Sequence, residues 1–210
     1  MSKAIIVVDF AYKSAVKSSK TSGKRGLRNA LKYFQFRDSR NNVLAKEERV
    51  ERWQDRGLGV HHREILENCQ QWQSPHVLAW TWVISPDPDL MAHVPEKERR
   101  DLVCDLTERI VEDYYLERGY DIPAYSYVLH SRQTNDTEQE QLHTHIVLPG
   151  TVEAGVERLP MYNNASKKHD VLFREIAAFH FEKLLEAHNI DWRRVRALEQ
   201  PDVPFSDLTL

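Results

Sequence analysis

The chain has 210 residues (24.7 kDa), of which 41% are hydrophobic, 10% aromatic and 29% charged, values that suit one globular domain over 1–210 and exclude a disordered chain. Two distant cysteines, Cys69 and Cys104, exclude a disulfide framework, seven glycines assemble no phosphate loop or dinucleotide fingerprint, and no apolar run nears the ~20 residues of a membrane span, so a cytoplasmic protein with no membrane partner is expected. The net charge of −3 conceals a split: residues 1–40 hold ten Lys or Arg against Asp9 and Asp38, a net of +8, while the other 170 residues carry −11.

AIIVVDF (4–10) is a β-branched run that predicts a buried strand. The basic segment spans 11–40, and its part over 13–25, rich in Lys, Ser, Thr and Gly, reads as a loop. Leu27, Ala30, Leu31 and Phe34 recur at helical spacing, which predicts a short helix over 27–36. Residues 37–60 are highly charged with weak periodicity and read as a mobile loop or an exposed helix. Ile65, Cys69 and Trp72 share one face of a helix over 62–73. HVLAWTWVIS (76–85) predicts a strand stopped by Pro86 and Pro88, with Trp80 and Trp82 in the core. Pro95 opens the strongest helical pattern, with Leu102, Val103, Leu106, Ile110, Val111 and Tyr114 as its stripe and Gly119 as its stop. AYSYVLHS (124–131) and LHTHIVLP (142–149) predict two strands of an antiparallel hairpin around the polar QTNDTEQEQ (133–141). A second long helix is expected from Ser166 to His188. The order predicts an α+β domain with a mainly antiparallel sheet and helices packed on one face.

Residues two apart on a strand share a face, so His143 and His145 project together with Val147, as do Ser126, Val128 and His130 on the preceding strand. Antiparallel pairing then brings His130 beside the other two. Three imidazoles on the sheet face opposite the helices form a metal site with open positions. Such a donor set suits Mn²⁺, Co²⁺, Ni²⁺ or Zn²⁺ better than Mg²⁺. His61, His62, His76, His93, His169, His180 and His188 read as surface or capping residues.

HSRQTNDTEQEQLHTHIVLP (130–149), a lone histidine followed by His-x-His, resembles the metal-binding motif of HUH-type DNA relaxases, and most closely the mobilisation-type relaxases of plasmids and integrative elements. LKYFQFRD (31–38) is similar to the tyrosine motif of that family, with Tyr33 in the nucleophile's position and Arg37 just after it. AWTWVIS (79–85) matches its middle motif, a strand ending in serine, and makes Ser85 a candidate orienting residue. There are departures: the gap between His130 and His143 is longer than expected and carries Glu138 and Glu140, and Pro149 stands where a polar residue is common. Family members usually continue into a C-terminal domain, so a minimal relaxase, an isolated domain and a relative with a changed task all stay open.

The resemblance implies a site- and strand-specific single-stranded DNA endonuclease, a nickase for plasmid or mobile-element transfer. Its partners would be a nick site in single-stranded DNA at an origin of transfer and other mobilisation proteins. Tyr33 would attack the scissile phosphorus and give a 5′-phosphotyrosine and a free 3′-hydroxyl. Phenols ionise near pH 10, so attack at neutral pH needs help. A divalent ion (Mn, Mg, Co, Ni or Zn) on His130, His143 and His145 would supply it. Lys24, Arg25, Arg28, Lys32, Arg37 and Arg40 would follow the DNA backbone, with Phe34 and Phe36 stacking on unpaired bases. Other readings stay open: Tyr12 as nucleophile, Tyr162 as in a replication initiator or transposase, a DNA-binding accessory protein that does not cleave, or a three-histidine enzyme acting on a small molecule. Glu64 and Asp87 are candidates to orient the histidines.

Overall fold

The computed structural model describes residues 4–16, 23–36, 51–133, 140–152, 157–158 and 168–199. Its strand-forming runs meet in one five-stranded sheet. In spatial order these are β1 (Ile6–Ser14), β3 (Val77–Pro86), β5 (Glu140–Pro149), β4 (Tyr125–Gln133) and β2 (Gln54–Arg56). Every pairing is antiparallel. The described helices are α1 (Gly23–Phe36), α2 (His62–Gln71), α3 (Pro88–Met91), α4 (Glu96–Leu116), α5 (Lys168–Ala187) and α6 (Trp192–Glu199), and β6 (Thr151–Val152) with β7 (Glu157–Arg158) forms a separate ribbon.

Alternation divides the sheet residues between two cores. Trp80, Trp82 and Ile84 of β3, Tyr125, Tyr127 and Leu129 of β4, and Ile146 and Leu148 of β5 point to one side, beneath the stripe of α4 and Phe173, Ala177, Phe181 and Leu185 of α5. Trp82 is fully buried, with the rings of Phe173 at 4.8 Å and Tyr114 at 5.5 Å. Polar contacts also cross this interface, among them a 2.8 Å bond between the hydroxyls of Thr107 and Thr144 and a bond from the Tyr127 hydroxyl to the Glu108 carboxylate. On the other side Val128, Val147 and Ala79 meet Leu27, Leu31 and Phe34 of α1, Ile65, Leu66 and Cys69 of α2, and Trp53 and Leu58.

Helices therefore pack on both faces, not on one as the sequence led us to expect. The apolar positions of α1 and α2 are few per helix, yet Val128 and Val147 make this part of the histidine face apolar enough to need a cover. The segment read as a loop over 13–25 also departs from expectation. β1 continues to Ser14, and α1 begins at Gly23 rather than Leu27. Gly23 lies so close to β1 that a Cβ would stand 1.6 Å from the Ser14 carbonyl oxygen, an approach only glycine permits. β2, whose residues Gln-Asp-Arg are all exposed, lies inside the stretch expected to be a loop or an exposed helix. α6 is held to the rest of the fold where Arg196 reaches Asp87 at 2.7 Å, with little exposure on either side chain. Cys69 and Cys104 are free. Among the described residues no helix is long and apolar enough to cross a membrane.

Candidate metal centre

The hairpin register sets the site. His130 pairs directly with His143, and His145 pairs with Val128, so the three imidazoles leave the same face of two adjacent strands. Their ring centroids are 4.8 Å (His130–His145), 5.1 Å (His143–His145) and 5.5 Å (His130–His143) apart, and the planes stand at 70–86° to one another. One nitrogen from each ring lies within 4.8 Å of the others. Imidazole binds first-row divalent ions at about 2.0–2.1 Å, which sets nitrogen–nitrogen separations of about 3.4 Å in a tetrahedral site. The rings would close to that spacing by side-chain rotation, for which the half-buried His143 and His145 have room. The donor set and geometry fit a divalent ion with open positions.

His130 is the anchored member, almost completely buried, and its Nε2–H donates to the Phe34 carbonyl at 2.7 Å. That bond commits Nε2 to the Phe34 carbonyl, so Nδ1 is the nitrogen that could serve an ion. His143 Nδ1 lies 3.4 Å from the Gln141 carbonyl, and the Gln141 side-chain amide donates to Ser85 Oγ at 3.1 Å. Ser85 thus reaches the histidines through Gln141. His145 lies flat on the Phe34 ring, with centroids 4.3 Å apart and planes at 16°. Both contacts come from the last turn of α1, which Leu27, Leu31 and Phe34 hold against the sheet.

Tyr33, one residue before Phe34, is half-exposed, and its ring centroid stands 6.0 Å from that of His130 and 6.3 Å from that of His145. Tyr12 lies on the other side of the sheet, its ring 5.5 Å from Trp80. Tyr162, Arg37, Arg40, Glu138 and most of the 37–60 stretch lie outside the described residues. Lys24, Arg25, Arg28 and Lys32 are exposed along α1. Phe34 is buried against His145 and Trp53, so the expectation that it stacks on a base is corrected, while the half-buried Phe36 packs edge-on against His62. Glu64 accepts from the Val60 amide, and Asp87 caps α3 and pairs with Arg196. Among the seven histidines expected at surfaces or caps, His61 does cap α2. His62 is instead buried: its backbone N–H and Nδ1–H both donate to the side-chain oxygen of Gln35, at 3.0 and 2.7 Å, and burial pushes its imidazole down to about 4.

Sequence reasoning missed Phe34, Gln141 and Gln35 as supports of the site. A backbone acceptor such as the Phe34 carbonyl leaves no trace in residue type. Gln35 had one signal: it is a polar residue adjoining the apolar stripe of α1. No protein-family model matches the chain, and no curated protein matches it.

Proposed function

We propose that the protein is a metal-dependent DNA strand transferase of the relaxase type, which nicks single-stranded DNA through a tyrosyl intermediate. The observation that carries this reading is the position of Tyr33, its ring against two of the three clustered histidines although 97 residues separate it from the nearer in sequence. In the forward step the Tyr33 oxygen attacks the scissile phosphorus and loses its proton. The P–O3′ bond breaks, and the departing 3′-oxygen takes up a proton to become a hydroxyl. One phosphodiester replaces another, so the strand can be resealed by attack of a 3′-hydroxyl. A divalent ion held by His130, His143 and His145 would polarise a non-bridging phosphate oxygen. Phe34 keeps His130 and His145 oriented, and its place beside Tyr33 sets the distance between tyrosine and histidines.

The test is covalent capture. A library of labelled single-stranded oligonucleotides from a plasmid transfer origin, incubated with Mn²⁺ and protein, should yield a denaturation-resistant adduct. Tyr33→Phe is expected to abolish it, and His143→Ala to remove both adduct and bound metal. An adduct on a peptide containing Tyr162 would move the reaction to the initiator or transposase class. Metal binding with no adduct and no DNA affinity would end the DNA reading.

A further inference from the structure

Beside the metal centre, α1 and α2 enclose a groove of about 420 Å³, lined by Lys24, Arg28, Lys32, His62, Arg63 and Gln70, with Leu66 and Glu67 completing its wall. Four permanent cations face one acid across it. Lys24, Arg28 and Lys32 repeat every fourth residue, so they form one stripe on α1 with steps of about 6 Å along the helix axis. That step matches the spacing of successive phosphates in a stretched single strand. Arg63, exposed on α2, supplies charge from the opposite wall. Cations on both walls of a narrow cleft repel one another unless an anion lies between them. Among the described residues the lining offers no aromatic face apart from the His62 imidazole, and that ring is edge-packed by Phe36 and bonded to Gln35. The groove is therefore made for a backbone and not for bases. Its stripe ends at Lys32, the residue before Tyr33.

We infer that this groove binds the phosphodiester backbone of about three consecutive nucleotides of the substrate strand, to one side of the scissile phosphate, with Arg63 of α2 working opposite Arg28 of α1. This rests on the strand-transferase reading for the identity of the strand, while the groove itself is testable without cleavage. Binding there is insensitive to base sequence and depends on the length of strand beyond the cut. The sequence pointed to Lys24, Arg25, Arg28 and Lys32 of α1, with Arg37 and Arg40 outside the described residues; the second wall, from α2, comes from the fold.

The experiment is fluorescence anisotropy of labelled oligo-dT of graded length with the full chain in EDTA, at 50 to 200 mM salt. Each phosphate neutralised on a single strand adds about 0.7 to the log–log salt slope, so Arg28→Gln/Arg63→Gln should flatten it by about 1.4. Over that fourfold salt range the wild type then loses about 7-fold more affinity than the variant. Lys24→Gln/Lys32→Gln should flatten it equally, which guards against a folding defect in either pair. Arg109→Gln/Arg174→Gln removes the same charge from α4 and α5 on the far face and should leave the slope unchanged. A groove pair that leaves the slope intact, or a far-face pair that flattens it as much, overturns the inference. So does competition by free inorganic phosphate at low millimolar concentration, which would make the groove a site for a single anion. An adduct that forms at Tyr33 while the groove pairs bind normally refutes the groove alone; a slope that falls as described without any adduct refutes the nickase reading alone.

Discussion

Replacing Phe34 by leucine removes the aromatic face on which His145 lies, while leaving the main-chain carbonyl that accepts from His130 Nε2. The expected effect on metal affinity follows from that division. His130 keeps its bond and stays buried, but His145 loses its stacking partner at 4.3 Å and gains rotamer freedom. Immobilising one such side chain on binding costs about 0.5–1.5 kcal/mol. At 1.4 kcal/mol per tenfold, metal affinity should fall about 2- to 12-fold. His145→Ala, which deletes a donor outright, should cost far more. Phe34 also contacts Trp53 and is 8% exposed, so the leucine variant should lose about 1–2 kcal/mol of stability. Calorimetric titration of chelator-stripped protein with Zn²⁺ or Co²⁺, alongside thermal unfolding, measures both. Unchanged affinity in Phe34→Leu with a large loss in His145→Ala would refute the positioning role of the ring. Unchanged affinity in both would dispose of the three-histidine centre.

Three further outcomes are expected. His62 has a folded pKa of about 4 against 6.5 for an ordinary imidazole, so above pH 6.5 neither state carries its proton and stability is unaffected. As pH falls from 6.5 towards 4 the unfolded chain binds a proton that the folded one refuses, and stability drops, by about 1–2 kcal/mol once solvent at the groove mouth is allowed for. Chemical denaturation from pH 7.5 to 4.5 should show this loss and His62→Gln should lack it; superimposable curves would contradict the burial argument. Arg196→Met leaves Asp87 charged and nearly buried, which costs about 3–5 kcal/mol and lowers Tm by some 6–15 °C; a shift under 2 °C would mean that α6 is not held by this pair. Thr144→Val breaks the 2.8 Å hydroxyl pair, but Thr107 still donates to the Val103 carbonyl, so the loss should stay near 1 kcal/mol in denaturant titration.

The hairpin shows how much of the site is written in residue type. Period-two alternation in LHTHIVLP and AYSYVLHS put the three histidines on one face, and the observed register pairs His130 with His143. Trp80, Trp82 and Tyr114 are core residues, as their spacing on strand and helix led one to expect. The covering of the histidine face by α1 and α2 was not legible, because each helix contributes only a few apolar residues and only the fold reveals the Val128–Val147 patch they protect. β2 escaped because Gln54, Asp55 and Arg56 carry no strand signature; they are recruited by the backbone of β4, with Ser126 donating to Asp55 at 3.3 Å. The burial of His62 depends on Gln35, a partner 27 residues away that no local pattern connects to it.

The placement of β5 has a consequence for how an ion would reach the histidines. β5 is laddered to β3 on one flank and to β4 on the other, so the register that groups the three histidines is held by the sheet itself. Folding and occupancy by an ion would then be separate equilibria, unlike a zinc finger, whose chain is unfolded without its ion. A chelator should strip the centre and leave the far-ultraviolet spectrum unchanged, and any ion of suitable size added back should reload it without a refolding lag. The hairpin would then be a standing receptacle, with the ion decided by supply after folding is complete.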